Sequence, residues 1–136
     1  MLNLKLFRDV PILYHGTNRC YFENQLSQSG RYEHNNRKHI ELTGNIEDAL
    51  DYAFRRSIRR NTEGTLLMID TIKILLRLKI VFWRRPVIKY LNPDEFTIYH
   101  LPKRTNKEIT IDDIANITQV CQDNFGISPE LSPLIY

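Results

Sequence analysis

Residues 45–60, NIEDALDYAFRRSIRR, constrain the chain more than any other stretch. Ile46, Ala49, Leu50, Ala53, Phe54 and the Ser57/Ile58 pair recur at helical spacing and form one apolar stripe. Asn45 is a good N-cap, and Glu47 and Asp48 stand where the positive end of a helix dipole favours acids. At about 100° per residue, Tyr52, Arg55, Arg56 and Arg59 fall together beside that stripe. Gly64 marks a turn. Residues 65–73, TLLMIDTIK, are apolar and β-branched and read as a central strand.

The other elements are shorter. Residues 11–15 read as a strand broken by Gly16, and Thr17 or Asn18 caps a helix that Gly30 stops. Residues 31–38, RYEHNNRK, are a polar loop, and 39–43 and 78–83 read as strands. A Pro-Asp turn leads into a strand over 96–100. Ile109 and Ile111 suggest one more short strand, and Asp112 or Asp113 caps a final helix ending near Gly126. This order is not a regular βαβ alternation. It predicts an α+β fold, with a mostly antiparallel, split sheet as the core and helices flanking it. At 136 residues the chain is expected to be one compact domain, 1–136, able to bury a core without staples.

Composition excludes several classes. A hydrophobic fraction of 42% and a charged fraction of 26% fit a folded globular chain. No apolar run approaches the roughly 18 residues of a membrane span. The start, MLNLKLFRDVP, lacks a signal peptide's apolar region. Cys20 and Cys121 are far apart, and both are expected to serve as small core hydrophobes of a reduced, cytoplasmic protein. His15, His34, His39 and His100 show no metal-ligand spacing, so no metal is expected. The net charge is +3, but it is unevenly spread. Six basic residues and no acid lie between 71 and 93, whereas five acids and no Lys or Arg follow Lys107. A basic region of this kind suits a phosphate-bearing ligand or nucleic acid, or is a solvated surface.

No phosphate-binding glycine loop and no Gly-x-Ser-x-Gly elbow is present. The segment Leu13-Tyr14-His15-Gly16-Thr17 stands out instead. A His at a strand end followed by Gly puts an imidazole beside backbone that a ligand can approach. This LYHGT motif, the helix closed by Gly30, Ile40-Glu41-Leu42-Thr43 and the 45–60 helix with Ala49 and Tyr52 together resemble the ADP-ribosyltransferase superfamily. The similarity is to its diphtheria-toxin-like and poly(ADP-ribose)-polymerase-like branch, and it spans about residues 12–117. It extends to a late Glu at a strand start, here Glu95 in Asp94-Glu95-Phe96-Thr97.

The resemblance implies NAD as co-substrate. In that reading His15 holds the adenosine-side ribose and Gly16 offers its backbone to the nicotinamide carboxamide. Thr17 sits by the same ribose, and Tyr52 stacks on the nicotinamide. Glu95 stabilises the positive charge that develops on the ribose, which makes His15 and Glu95 the catalytic pair. Preorganised electrostatics of this kind is a large catalytic term. Pyrophosphate cations are available from Arg31, Arg37 and Lys38, or from Arg55, Arg56 and Arg59. One departure is clear: Glu41 stands where the family often has Tyr, and it is either a substituted carboxylate or an outward-facing strand residue.

The expectation is transfer of ADP-ribose from NAD to a macromolecule, protein or nucleic acid, by a toxin-type or effector-type module. Two alternatives stay open. One is an NAD-using RNA 2′-phosphotransferase, and the other is a binding module of the same fold that has lost turnover.

Overall fold

A computed structural model describes residues 10–34, 39–81 and 85–129. The described elements run in the order β1 (Ile12–Asn18), α1 (Arg19–Ser29), β2 (Ile40–Glu41), α2 (Ile46–Arg60), β3 (Gly64–Asp70) and a single helical turn, α3 (Thr71–Ile74). Then follow β4 (Lys79–Val81), β5 (Arg85–Ile88), a 3₁₀ turn at Pro93–Glu95, β6 (Phe96–Leu101) and α4 (Ile111–Phe125). This is an α+β domain with two small antiparallel sheets, ordered β1-β3-β6 and β2-β5-β4. A bridge between Tyr14 and Thr43 links the edge of the first sheet to the chain just beyond β2.

Side-chain alternation builds two cores on the two faces of the β1-β3-β6 sheet. Ile12, Tyr14, Leu66, Met68 and Leu101 pack with Ala49, Leu50, Ala53 and Phe54 of α2 and with Ile117 and Cys121 of α4. Leu13, Leu67 and Ile69 pack instead with Phe22 of α1, Tyr32, and Ile88 of β5. The central strand β3 is buried on both faces, as its unbroken apolar run predicts. Burial on α2 follows the stripe read from sequence, Ile46 through Ser57, and Asn45 caps it through the Glu47 amide.

Several boundaries differ from the sequence reading. β1 does not stop at Gly16 but continues to Asn18, and Asn18, not Thr17, caps α1 by accepting from the Tyr21 amide. Gly16 stays in the strand because β3 pairs along its whole length. The strand expected over 65–73 ends at Asp70, opposite Ile12, where β1 runs out of partners to offer. The chain then coils into α3 and leaves Ile72 77% exposed. Ile109 and Ile111 form no strand. Thr110 caps α4 in a reciprocal capping box with Asp113, so Ile111 is already the first helical residue. The strand expected over 78–83 is described only as β4, its last residues lying outside the described set. Cys121 is buried, but Cys20 is exposed at the start of α1 and is no core residue. Among the described residues no helix is long and apolar enough to cross a membrane.

Candidate functional site

Gly16 fixes the geometry of the site. A Cβ built on it would lie 2.0 Å from the Ala49 carbonyl oxygen and 2.8 Å from the Ala53 amide nitrogen. No other residue lets α2 lie this close to β1. The glycine is thus explained first by helix–strand contact, on its Cα face. Its peptide groups serve a second purpose. Along β1 the Tyr14 N–H and C=O both bond to Thr43, on the edge away from β3. The period of a strand sends those of Gly16 to the same edge, one step beyond Thr43. There they face a cleft rather than a strand.

That cleft has a volume of about 630 Å³. Its floor is His15 and Gly16, one wall is Glu41 to Gly44, and the other wall is the Asp48–Arg56 side of α2. Tyr52 stands on the helix wall, 42% exposed, with the Arg56 guanidinium 5.0 Å from its ring centroid. A second cleft of about 740 Å³ continues past Tyr52, Arg55 and Arg56, and His34 borders both.

His15 is buried at the floor. Its Nδ1 lies 2.8 Å from the Glu41 carbonyl oxygen, which can only accept, so Nδ1 carries the proton. Nε2 is then an acceptor and takes the Tyr32 O–H at 3.0 Å. Both ring nitrogens are thereby satisfied within the protein. Burial is the main reason the His15 pKa drops to about 3; nearby His34 and Arg56 push the same way, against the Glu41 carbonyl. The imidazole is neutral at any ordinary pH. Burial likewise raises the Tyr32 phenol above its usual range. Thr17 lies on the His15 side of β1, fully buried and lining neither cleft. Its hydroxyl is near enough to Tyr32 to temper that rise, yet among the described residues it has no partner in hydrogen-bond geometry.

The structure therefore brings His15, Gly16, Glu41 and Tyr52 together and leaves Thr17 and Glu95 out. Glu41 presents an exposed carboxylate at the rim, 3.4 Å from Arg85, while its carbonyl positions His15. Glu95 is elsewhere. Register places Ile98, three residues later, two strands across from His15. The Glu95 carboxylate is buried against Arg77 through two short bonds, at 2.6 and 2.7 Å, and accepts the Asn92 amide at 2.7 Å. Burial alone would raise its pKa, but Arg77 and the Asn92 amide outweigh this and hold it below the usual carboxylate range. The physical reason is local: Asn92-Pro93-Asp94-Glu95 closes a capping box, so Glu95 turns back onto its own turn. Asp94 gives its carbonyl to Lys73 and does not replace it at the cleft.

The cations expected for phosphate also separate. Arg55 and Arg56 line both clefts, and Arg59 and Arg60 line the second. Arg31 is engaged with Glu33 and the Tyr90 ring. Arg37 and Lys38 lie outside the described residues. His100 bonds to Thr65 within the sheet. The 71–93 basic stretch is dispersed: Arg77 pairs with Glu95, Arg85 with Glu41, and Lys73 with a backbone carbonyl.

The sequence reading missed Tyr32 and His34. Tyr32 is fully buried and bridges Leu91 through paired backbone bonds at 2.9 Å. His34 accepts or donates at 3.1 Å to the Tyr21 hydroxyl and lies 5.6 Å from the His15 ring. The available signal was a lone aromatic in a polar stretch directly after the Gly30 helix stop. Among the described residues no group of His, Cys, Asp or Glu is arranged to hold a metal. No protein-family model and no curated protein matches this chain.

Proposed function

We propose that this domain binds NAD in the His15 cleft and transfers its ADP-ribose to a macromolecular acceptor. What carries the reading is Gly16 at the cleft floor, whose peptide N–H and C=O strand periodicity sends side by side to the open edge beyond the Tyr14–Thr43 bonds. A primary carboxamide such as nicotinamide presents the complementary acceptor and donor. Tyr52 supplies an aromatic face on the wall, and Arg55 and Arg56 supply charge for a pyrophosphate. The volume is that of a small-molecule site.

NAD, when bound, supplies a glycosidic bond whose cleavage leaves positive charge on the ribose. The residues divide the remaining work. His15, neutral and held at both nitrogens, acts through position: it fixes the Glu41 backbone and the Tyr32 hydroxyl around the floor. Glu41 is the carboxylate at the rim, and in this reading it takes the charge-stabilising role that the resemblance implies for Glu95. Asp48 and Asp51 also line the cleft, but Asp51 is occupied by Arg55 at 2.8 Å. A second reading has its own support. Glu95 is locked into its Arg77 pair, so a carboxylate at that late strand start serves the fold, which favours a domain that binds NAD without consuming it.

Calorimetric titration with NAD, followed by assay of nicotinamide release, separates the readings. Tyr52→Ala should weaken NAD binding about tenfold. Glu41→Gln should leave binding within about twofold and abolish release. Binding without release in the wild type, given each class of acceptor, selects the second reading. A folded protein that does not bind NAD at millimolar concentration overturns both.

A further inference from the structure

The second cleft differs in chemistry from the first. Four arginines, Arg55, Arg56, Arg59 and Arg60, line it, and among the described residues no carboxylate does. Arg55 is balanced by Asp51. Arg56, Arg59 and Arg60 form no ion pair among the described residues, although acids are plentiful elsewhere on the chain. They stand at i, i+3 and i+4 on one helix, so their stems are about 5–6 Å apart. Three uncompensated charges this close repel one another, and an anionic ligand with repeated charges relieves that repulsion. Arginine also suits phosphate through its planar fork.

Aromatic rings line the same cleft. Tyr52 lines both clefts, and Tyr21 and His34 lie tilted to each other, with centroids 5.5 Å apart and 31° between their planes. Cations interleaved with flat rings in a concave channel are the features that hold unpaired bases and their phosphates. An acidic protein would use the arginines but leave the rings unstacked, and a duplex keeps its base faces stacked within itself, away from the rings.

We propose that this channel binds single-stranded nucleic acid, which runs along the arginine face of α2 and enters the His15 cleft past Tyr52. Binding stands on the channel alone. Its consequence, that the acceptor for ADP-ribose is a single strand, rests on the function proposed above.

The test is fluorescence anisotropy with labelled 12-mers of dT and rU, a duplex of equal length, and a poly-glutamate peptide. Single strands should bind at least about tenfold more tightly than the duplex, with a log–log salt slope near −2 to −3 for three to four phosphate contacts. The Arg59→Ala/Arg60→Ala variant should lose about 1.4 from the magnitude of that slope. Both positions are exposed, and the double Lys variant, which keeps the charge, should retain the slope. Tyr21→Ala should weaken strand binding about tenfold and leave the slope unchanged. An unchanged slope in the double Ala variant, equal affinity for duplex, or binding of poly-glutamate in place of oligonucleotide overturns the proposal. NAD titration of the wild-type protein, set beside its strand titrations, keeps the two claims apart. If NAD binds normally while strands do not, this proposal alone falls. If strands bind and NAD does not, the function above falls and the channel remains.

Discussion

His15, in the middle of β1, and Glu95, in the turn before β6, are both polar and both buried, 8% and 6% exposed, yet the fold satisfies them in opposite ways. His15 is kept neutral. Its two partners are uncharged, and it sits at the floor of an open cleft. Glu95 is kept charged. Its partners are a guanidinium and a backbone amide, and it lines neither cleft. Buried ionisable groups survive either by giving up charge or by acquiring a counter-charge. The first course leaves a residue that positions others in a site. The second makes a rivet: Arg77 spans from α3's end to Glu95 and to the Tyr90 carbonyl, with its guanidinium 4.5 Å from the Tyr90 ring.

The largest expected effect breaks the rivet. Glu95→Ala leaves the Arg77 guanidinium without its carboxylate and the Asn92 amide without an acceptor. Urea unfolding should show a loss of about 3 kcal/mol. NAD affinity, measured where the variant is still folded, should stay within about twofold of wild type. A stable variant with impaired NAD binding would instead return Glu95 to the site.

The next effect separates the two groups by pH. An unfolded histidine takes its proton near pH 6.5, whereas native His15 takes one only near pH 3. Between these values the unfolded state binds the extra proton, so stability is full above about 6.5 and is lost as pH falls. The slope is up to about 1.4 kcal/mol per pH unit. Glu95 has a lowered native pKa, so its contribution is intact above the ordinary carboxylate value of 4.5 and is lost only below it. Acid should therefore weaken the protein in two stages, the His15 stage first. His100, lowered mainly by burial, adds slope of the same sign in the first stage. Urea midpoints at pH 7, 6 and 5 should give a shallower slope for His15→Gln than for wild type. Parallel slopes would mean that His15 is protonated in the native state.

The smallest effect concerns the rim. Arg85→Ala removes the 3.4 Å pair with Glu41, whose partners are 60% and 52% exposed. Exposed pairs of this length contribute little, so thermal unfolding should change by less than about 0.5 kcal/mol. A larger loss would mean that Glu41 is as structurally committed as Glu95.

What the sequence disclosed follows the same divide. α2 was legible in full because its stripe, its Asn45 cap and its acidic first turn agree. The cleft side of α2 was legible too, since helical geometry alone puts Tyr52, Arg55 and Arg56 together. Glu95 was not, because whether a strand-start carboxylate faces a cleft or an arginine 18 residues earlier depends on tertiary pairing. Tyr32 and His34 were hidden by their polar neighbours. The end of β3 was misplaced because the composition of 71–73 suits a strand, and only the length of β1 tells where pairing stops.

The backbone contact at Gly16 has one more consequence. With the Ala49 carbonyl where a Cβ would stand, α2 can neither rotate nor slide on β1 without opening a gap in the packing. Tyr52 and Arg56 on the helix and His15 on the strand are thus carried by a single rigid body. A ligand entering between them meets walls already in place, and the entropy given up on binding falls on the ligand rather than on the protein. Selectivity in such a cleft is a matter of shape set at folding.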